Sequence, residues 1–267
     1  MAPTVLITGA SQGTGRATAL LFAQQGYDTI LTARTPDPLN QVAKEVEALG
    51  QRALAVSADV GDFEQVSRMM EQAIAFAGSI DVLVNNAGIC LTGPAEETTL
   101  EDWNQILNTN LWGYIHTIQA LLPQFLAQGK GSIVNVGSFG GKMPLPYMTA
   151  YCTSKYAITG LTDTLRLELR PQGIHVAVVH PGIINSSFME RAMFRGSDAE
   201  ARRSQMQDTL SSAVASQPED IAKAIWHAVN KQQTETVVGP VAIATEAYRL
   251  LPGVLQWVLQ PSKGHSN

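Results

Sequence analysis

Tyr151 and Lys155, four residues apart, are the pair in this chain best suited to moving a proton. In a helix, side chains at i and i+4 share a face, so the phenol and the ammonium can both reach one pocket. A free phenol has a pKa near 10 and shuttles protons poorly at neutral pH. A cation about 4 Å away, at an effective dielectric near 20, is worth about 4 kcal/mol, or about three pK units at about 1.36 kcal/mol each. Such a shift would bring Tyr151 toward neutrality, where general acid or base work is most efficient. The same spacing also fits an interfacial tyrosine beside a lysine whose stem lies along apolar surface. The surrounding chain has to decide between the two.

Residues 151–169 have helical periodicity and carry the pair in their first turns. At the other end of the chain, Val5-Leu6-Ile7-Thr8 is a short apolar run of the kind found in buried parallel strands. It leads into Gly9-Ala10-Ser11-Gln12-Gly13-Thr14-Gly15, and a helix over 16–25 is expected to stop at Gly26. Strand, glycine turn and helix in that order present backbone N–H groups and a positive helix end to an anion. The spacing G-x-x-x-G-x-G differs from both the G-x-G-x-x-G fingerprint and a Walker A loop. A tight turn that packs a helix closely on a sheet would also use glycines, but three of them at the first βα turn favour a phosphate site.

A second strand, 29–33, ends at Arg34. In dinucleotide folds an acidic residue here binds the ribose 2′-hydroxyl and an arginine accommodates a 2′-phosphate. Arg34 therefore argues for NADP(H), although a solvated arginine at a strand end would look the same. Further strands are expected at 53–57, before Asp59, and at 82–84, before Asn85-Asn86-Ala87-Gly88. Others follow at 132–136, before Gly137-Ser138, at 175–179, before His180-Pro181-Gly182, and at 235–238. Helices are expected at 38–49, 63–77, 101–128 (carrying Asn110) and 218–230. Strands alternating with helices indicate βαβ units and a parallel sheet, whose ligands collect at the carboxyl ends of the strands.

The chain has 267 residues, 45% hydrophobic and 15% charged, with no repeat, low-complexity tract or linker to divide it. One domain over 1–267 is the simplest reading. Eighteen basic against 23 acidic residues give a net charge of −5 without a basic cluster, which argues against a nucleic-acid partner. Cys90 and Cys152 are the only cysteines, and no Cys/His grouping has metal-ligand spacing. The start, Met1 to Gly9, has no charged region before a long apolar run, and no uninterrupted apolar stretch reaches membrane-spanning length. The expectation is a soluble cytoplasmic protein, at most peripheral to a membrane.

Taken together, the residues resemble the short-chain dehydrogenase/reductase family. The match is Thr8-Gly9-x-x-x-Gly13-x-Gly15, Asn85-Asn86-Ala87-Gly88, Asn110, Ser138, Tyr151-x-x-x-Lys155 and Pro181-Gly182, in the family's order and spacing. The resemblance implies an α/β fold, a doubly wound, Rossmann-like parallel sheet in a single domain. It implies an NADP(H) cofactor against Gly9, Ser11, Gln12, Gly13, Thr14 and Gly15, then Arg34, Asp59 and Val60. Asn86, Ala87, Gly88, Tyr151, Lys155, Pro181, Gly182, Ile184 and Ser186 complete that surface. By position, Ser138 would bond the substrate oxygen and Tyr151 would give or take the proton. Lys155 would hold the nicotinamide ribose and lower the phenol's pKa, and Asn110 would keep a water path to Lys155. Charge that builds on a carbonyl oxygen needs donors already in place, and Ser138 and Tyr151 can supply them.

Four positions depart from the usual family pattern. Gln12 stands where many NADP-dependent members carry a base, Thr14 replaces an aliphatic residue, Gly137 replaces a serine, and Ser186 replaces a threonine. None removes a catalytic group. Residues 188–215, with Phe188, Met189, Met193, Phe194 and Met206, are expected to form a substrate lid, with ordinary helix packing as the competing reading. The apolar extension 241–260 is expected to cover the pocket, join a dimer interface or lie at a membrane surface, and core packing or a dimer contact is favoured. The reading is an NADP(H)-dependent oxidoreductase, a homodimer or homotetramer, acting on a lipophilic ketone, aldehyde or secondary alcohol. A carrier-bound 3-oxoacyl reductase and a non-catalytic NADP(H)-binding redox sensor are the alternatives.

Overall fold

The computed structural model describes residues 2–185, 192–210 and 215–259. The chain begins β1 (Thr4–Thr8), α1 (Gly13–Gln24), β2 (Asp28–Ala33), α2 (Pro36–Ala48), β3 (Ala53–Ser57), α3 (Phe63–Ala77) and β4 (Val82–Asn85). It continues through β5 (Leu91–Thr92), α4 (Leu100–Leu107), α5 (Gly113–Gln128), β6 (Gly131–Val136), α6 (Thr149–Leu169) and β7 (Ile174–Pro181). The last elements are β8 (Met193–Phe194), α7 (Ala199–Leu210), α8 (Pro218–Asn230), β9 (Glu235–Val238), α9 (Val241–Leu250) and α10 (Pro252–Leu259).

Seven strands form one parallel sheet in the order β3-β2-β1-β4-β6-β7-β9. Alternation along β1 shows how the two layers arise. Val5 and Ile7 face a core shared with Phe22 of α1, Val42 of α2 and Ile225 of α8, whereas Leu6 faces Met69 of α3 and Phe125 of α5. Both faces are covered, so β1 is buried at every residue. The direction of winding reverses between β1 and β4, which opens a crevice at their carboxyl ends.

A buried polar chain sets α6 on this sheet. Thr117 donates to Asn85 Oδ1 (2.6 Å), Asn85 Nδ2 to Asn135 Oδ1 (3.0 Å), and Asn135 Nδ2 to Thr162 Oγ1 (2.9 Å). Every step crosses between elements, so β4, β6, α5 and α6 are held in one register.

The single helix expected over 101–128 is broken. A π-helical turn, Asn108–Trp112, separates α4 from α5. Its wider winding, a device common at functional sites, turns Asn110 fully inward, where it bonds the backbone after β4. Gly113 lets the resumed helix approach the turn after β3, since a Cβ there would lie 2.6 Å from Val60 Cγ2. The two-residue pair β5–β8 was not legible as strands, being too short to show alternation. Among the described residues no helix is long and apolar enough to cross a membrane.

Candidate active site

The glycine turn is built by close approach. Gly9 and Gly13 sit at φ +65° and +52°, the left-handed region open to glycine. A Cβ on Gly9 would lie 2.8 Å from Ala87 Cα, and one on Gly15 would run into the Gly9 carbonyl. The turn is thereby pressed onto the end of β4. Thr8 Oγ1 accepts from the amides of Asn86 (2.9 Å) and Ala87 (3.0 Å), while Asn86 Nδ2 donates to the carbonyls of Thr8 (3.0 Å) and Gly9 (3.2 Å). Helix α1 opens at Gly13 without a side-chain cap, which leaves its first amides and its positive end to the crevice.

One cavity of about 330 Å³ runs along that crevice. Its walls include Gly9, Ser11, Gln12, Gly13, Thr14, Gly15, Arg34, Asp59, Val60, Asn86, Ala87, Gly88, Ser138, Tyr151, Lys155, Pro181, Gly182 and Ile184. Asn110 lies behind the wall, and Ser186 lies outside the described residues, as do Phe188 and Met189. Arg34 is exposed at one end, its carbonyl accepting from Ser57 Oγ (2.9 Å). The opposite wall adds Phe139, Leu145, Met148, Met206 and Leu210, and Cys90 closes it beside Tyr151. Of that wall, Phe139, Leu145, Met148, Leu210 and Cys90 carry no sequence signal, because they come from loops and a helix whose packing no periodicity specifies.

At the middle of the cavity the side chains of Ser138 and Tyr151 are hydrogen-bonded to each other. Ser138 Oγ also accepts from the Gly140 amide (3.1 Å) in the turn after β6. Lys155 Nζ donates to the Val136 carbonyl (2.9 Å), which also accepts from Tyr114 Oη (2.9 Å). The ammonium stands 5.9 Å from the Tyr151 ring centroid. The i, i+4 spacing thus puts the ammonium on the same side as the Tyr151 ring, while its hydrogen bond goes to a backbone carbonyl. Burial pushes the Tyr151 phenol well above its ordinary range, with Cys90 adding to the rise and the Ser138 bond opposing it. Burial also pulls the Lys155 ammonium down to about 8.

Asn110 acts on the backbone. Its Oδ1 accepts from the Ile89 amide (2.8 Å), and its Nδ2 donates to the Ile89 carbonyl (2.9 Å) and Ser154 Oγ (3.1 Å). Ser154 in turn donates to the Tyr151 carbonyl (2.7 Å), so the π turn, the β4 loop and α6 are locked together.

Sequence reasoning missed a second support. His180 is fully buried, with Nδ1 3.0 Å from the Ser138 carbonyl and Nε2 3.0 Å from Glu235 Oε1. Lys142 Nζ donates to the same carboxylate oxygen (2.7 Å). His180 and Lys142 hold the Glu235 carboxyl down to about 2. Gly137, which looked neutral, is required by this arrangement, since a Cβ there would meet His180 Nδ1 at 2.6 Å.

The substrate-side wall hangs on β5 and β8. Met193 N donates to the Cys90 carbonyl (2.9 Å) and Arg195 N to the Thr92 carbonyl (3.0 Å). Arg195 then grips the buried Asp102 carboxylate with Nη2 (2.6 Å) and Nε (3.1 Å). This fork holds the Asp102 carboxyl below its usual range. Helix α7 follows and brings Met206 and Leu210 to the cavity. By contrast, no residue of 241–259 lines it. Ile243, Leu250, Leu251, Val254, Trp257 and Val258 are exposed, so these side chains are not in the core of the chain, and of the favoured pair of expectations, core packing or a dimer contact, the dimer contact is the one they suit.

Comparisons with known proteins agree with this geometry. A family model described as short chain dehydrogenase matches residues 3–197. The chain is 32% identical over 253 residues to the ketoacyl reductase HetN of Nostoc sp., covering 95% of this chain and 84% of that protein. A short-chain dehydrogenase from Streptomyces avermitilis superposes with a TM-score of 0.84 at 31% identity, over 96% of this chain and 95% of that one. A 3-ketoacyl-(acyl-carrier-protein) reductase from Brucella melitensis, complexed with NADH, superposes with a TM-score of 0.79 at 28% identity, over 89% and 96%.

Proposed function

The chain belongs to the short-chain dehydrogenase family, and we propose that it transfers a hydride between NADP(H) and a lipophilic ketone, aldehyde or secondary alcohol. The observation that carries the proposal is the convergence of the uncapped glycine turn with Ser138, Tyr151 and Lys155 in one cavity. The residues present suit a dinucleotide. The α1 amides and the tightly packed Gly9 and Gly15 let backbone approach a pyrophosphate. Arg34, exposed at the cavity's end, offers a 2′-phosphate a guanidinium.

When bound, the nicotinamide supplies or accepts the hydride. Ser138 and Tyr151 then donate to the substrate oxygen as negative charge builds there, and Tyr151 delivers its proton. Burial keeps the phenol protonated at neutral pH, which suits reduction. Lys155 stands on the same helix face to hold the cofactor's ribose, and Asn110 fixes the backbone beside it. The wall of Phe139, Leu145, Met148, Met206 and Leu210 favours an apolar substrate body.

The test is nicotinamide oxidation with NADPH and, separately, NADH, over lipophilic and polar carbonyls, with Tyr151→Phe as control. Turnover with NADPH that vanishes in the variant supports the proposal, whereas activity confined to small polar sugars refutes the substrate class. A second reading, a carrier-bound 3-oxoacyl reductase, draws on the likeness to HetN and the Brucella protein. A preference for 3-oxoacyl thioesters over free ketones would decide for it. A homodimer or homotetramer suits the exposed Trp112 of the π turn and Tyr156 of α6, and light scattering checks it. The exposed tail suits contact with a membrane surface, which vesicle flotation checks.

A further inference from the structure

We infer that an annex of the substrate cavity, built around Arg202, binds a carboxylate at the far end of the substrate. The inference rests on the reductase reading and narrows its substrate class to oxo acids with an apolar body between the reacting carbonyl and the acid.

A cavity of about 180 Å³ lies between α7, β5 and the 146–148 turn, and it shares Met148 and Met206 with the main cavity. Its lining brings in the polar side chains of Thr92, Tyr147, Arg202, Gln205 and Thr209. Arg34 and Lys155, the basic residues of the main cavity, lie at the proposed cofactor surface. Arg202 is therefore the one cation on the substrate side among the described lining residues.

Two arginines of this wall contrast. Arg195 is matched to a buried carboxylate by two bonds. The side chain of Arg202 is only 16% exposed, yet Asp198, the one carboxylate within ion-pair range among the described residues, stays 3.9 Å away and points to solvent. Glu97 stands near the guanidinium beside Gly196 without reaching that range. Arg202 Nη2 donates to the Arg195 carbonyl (2.6 Å), and its Nε is buried without a hydrogen-bond partner. A largely buried guanidinium whose one ion-pair partner is a mostly exposed carboxylate 3.9 Å away is costly on its own, and its planar fork suits a carboxylate.

Tyr147 adds a second, independent sign. Its φ of +65° is one of two positive values at non-glycine residues among those described, and a bulky residue adopts that region only under constraint. That backbone holds the ring 5.3 Å from the Arg202 guanidinium carbon and its carbonyl on the Gly93 amide (2.7 Å). The guanidinium is thus fixed at the annex.

The experiment is calorimetric titration of the cofactor-loaded protein with medium-chain oxo acids and their methyl esters, with turnover of both measured in parallel. The acid should bind the wild type at least about 10-fold tighter than its ester, and Arg202→Met should weaken acid binding by about 10- to 100-fold, the range of a lost charge-assisted bond. Ester binding and turnover should not change, which also reports that the variant is folded. Arg202→Lys should fall between. Equal binding of acid and ester by the wild type, no acid binding at all, or equal loss of both in Arg202→Met overturns the annex. Arg202-dependent acid binding without turnover of any carbonyl keeps the annex and refutes the reductase. Turnover of neutral ketones with no preference for acids does the reverse.

Discussion

Replacing Lys155 by methionine should abolish turnover and, in the cofactor-free protein, raise stability. Lys155 is 4% exposed, and burial pulls its ammonium from an ordinary 10.5 down to about 8. That difference of 10.5 − 8, about 2.5 units at about 1.36 kcal/mol each, opposes folding by about 3 kcal/mol at neutral pH. Against it stands the loss of the 2.9 Å bond from Nζ to the Val136 carbonyl, about 1.5 kcal/mol or somewhat more for a charged donor. The carbonyl is not orphaned, because Tyr114 Oη still donates to it. Methionine fills nearly the same volume, so no cavity term is expected. The net gain is about 1–2 kcal/mol, which for a chain of this size is a rise in Tm of about 2–8 °C. The pH dependence has a definite sign. The amine titrates near 10.5 when unfolded and near 8 when folded, so the penalty is full below pH 8 and fades as pH rises to 10.5. Denaturation of both proteins at pH 7, 8.5 and 10 should show the variant's advantage shrinking upward. A variant less stable than wild type at pH 7, or an advantage that does not decline with pH, refutes the reasoning.

Three further outcomes are expected. Arg34→Ala should lower kcat/KM for NADPH by about 10- to 100-fold, the scale of a lost charged contact, and leave NADH nearly unchanged, as steady-state kinetics with each cofactor would show. Glu235 is held at about 2 instead of an ordinary 4.5, so its ion pairing stabilises the fold above pH 4.5 and that contribution is lost as pH falls toward 2. Acid denaturation should accordingly be steeper in wild type than in Glu235→Gln, by less than the full shift because the carboxylate is partly exposed. Gly9→Ala should destabilise by about 1–3 kcal/mol, since it adds strain at φ +65° and a Cβ 2.8 Å from Ala87 Cα. Urea denaturation checks that value.

The parts of this protein that sequence reveals are those in which local chemistry and position coincide. Val5 to Gly15 reads as strand, turn and helix because β-branched residues, glycines at left-handed φ and an amphipathic stretch follow each other without interruption. The seven strands of the sheet and the helix carrying Tyr151 are legible for the same reason. What was not legible depends on distant partners. The π turn at Asn108–Trp112 has ordinary helical composition and exists because Asn110 finds Ile89 across the fold. His180 could have been noticed as a lone histidine before Pro181-Gly182, but Glu235 and Lys142, its neighbours in the charge chain, lie far from it in sequence. The Tyr151 environment depends on distant partners too, since burial and Cys90 raise the phenol. The i, i+4 spacing fixes the shared face, but the Val136 carbonyl decides where the ammonium goes.

The two halves of the cavity differ in kind, and the difference follows from how each is held. The cofactor side is made of strand ends whose positions are fixed by the parallel ladder, and glycine contacts and backbone bonds tie β1 to β4 there. Change on that side disturbs the sheet itself. The substrate side is carried by the two-residue ladder β5–β8, by α7 and by one buried carboxylate, Asp102. Asp102 accepts from the Thr99 amide and hydroxyl at the start of α4 while it grips Arg195. The same acid therefore anchors the helix that leads into the Asn110 turn and the wall that carries Met206. Side chains on α7 can vary around this anchor while Ser138 keeps its bond from the Gly140 amide and Lys155 its bond to the Val136 carbonyl. Such a wall can be refitted to a new substrate body while the proton-transfer geometry stays with the sheet.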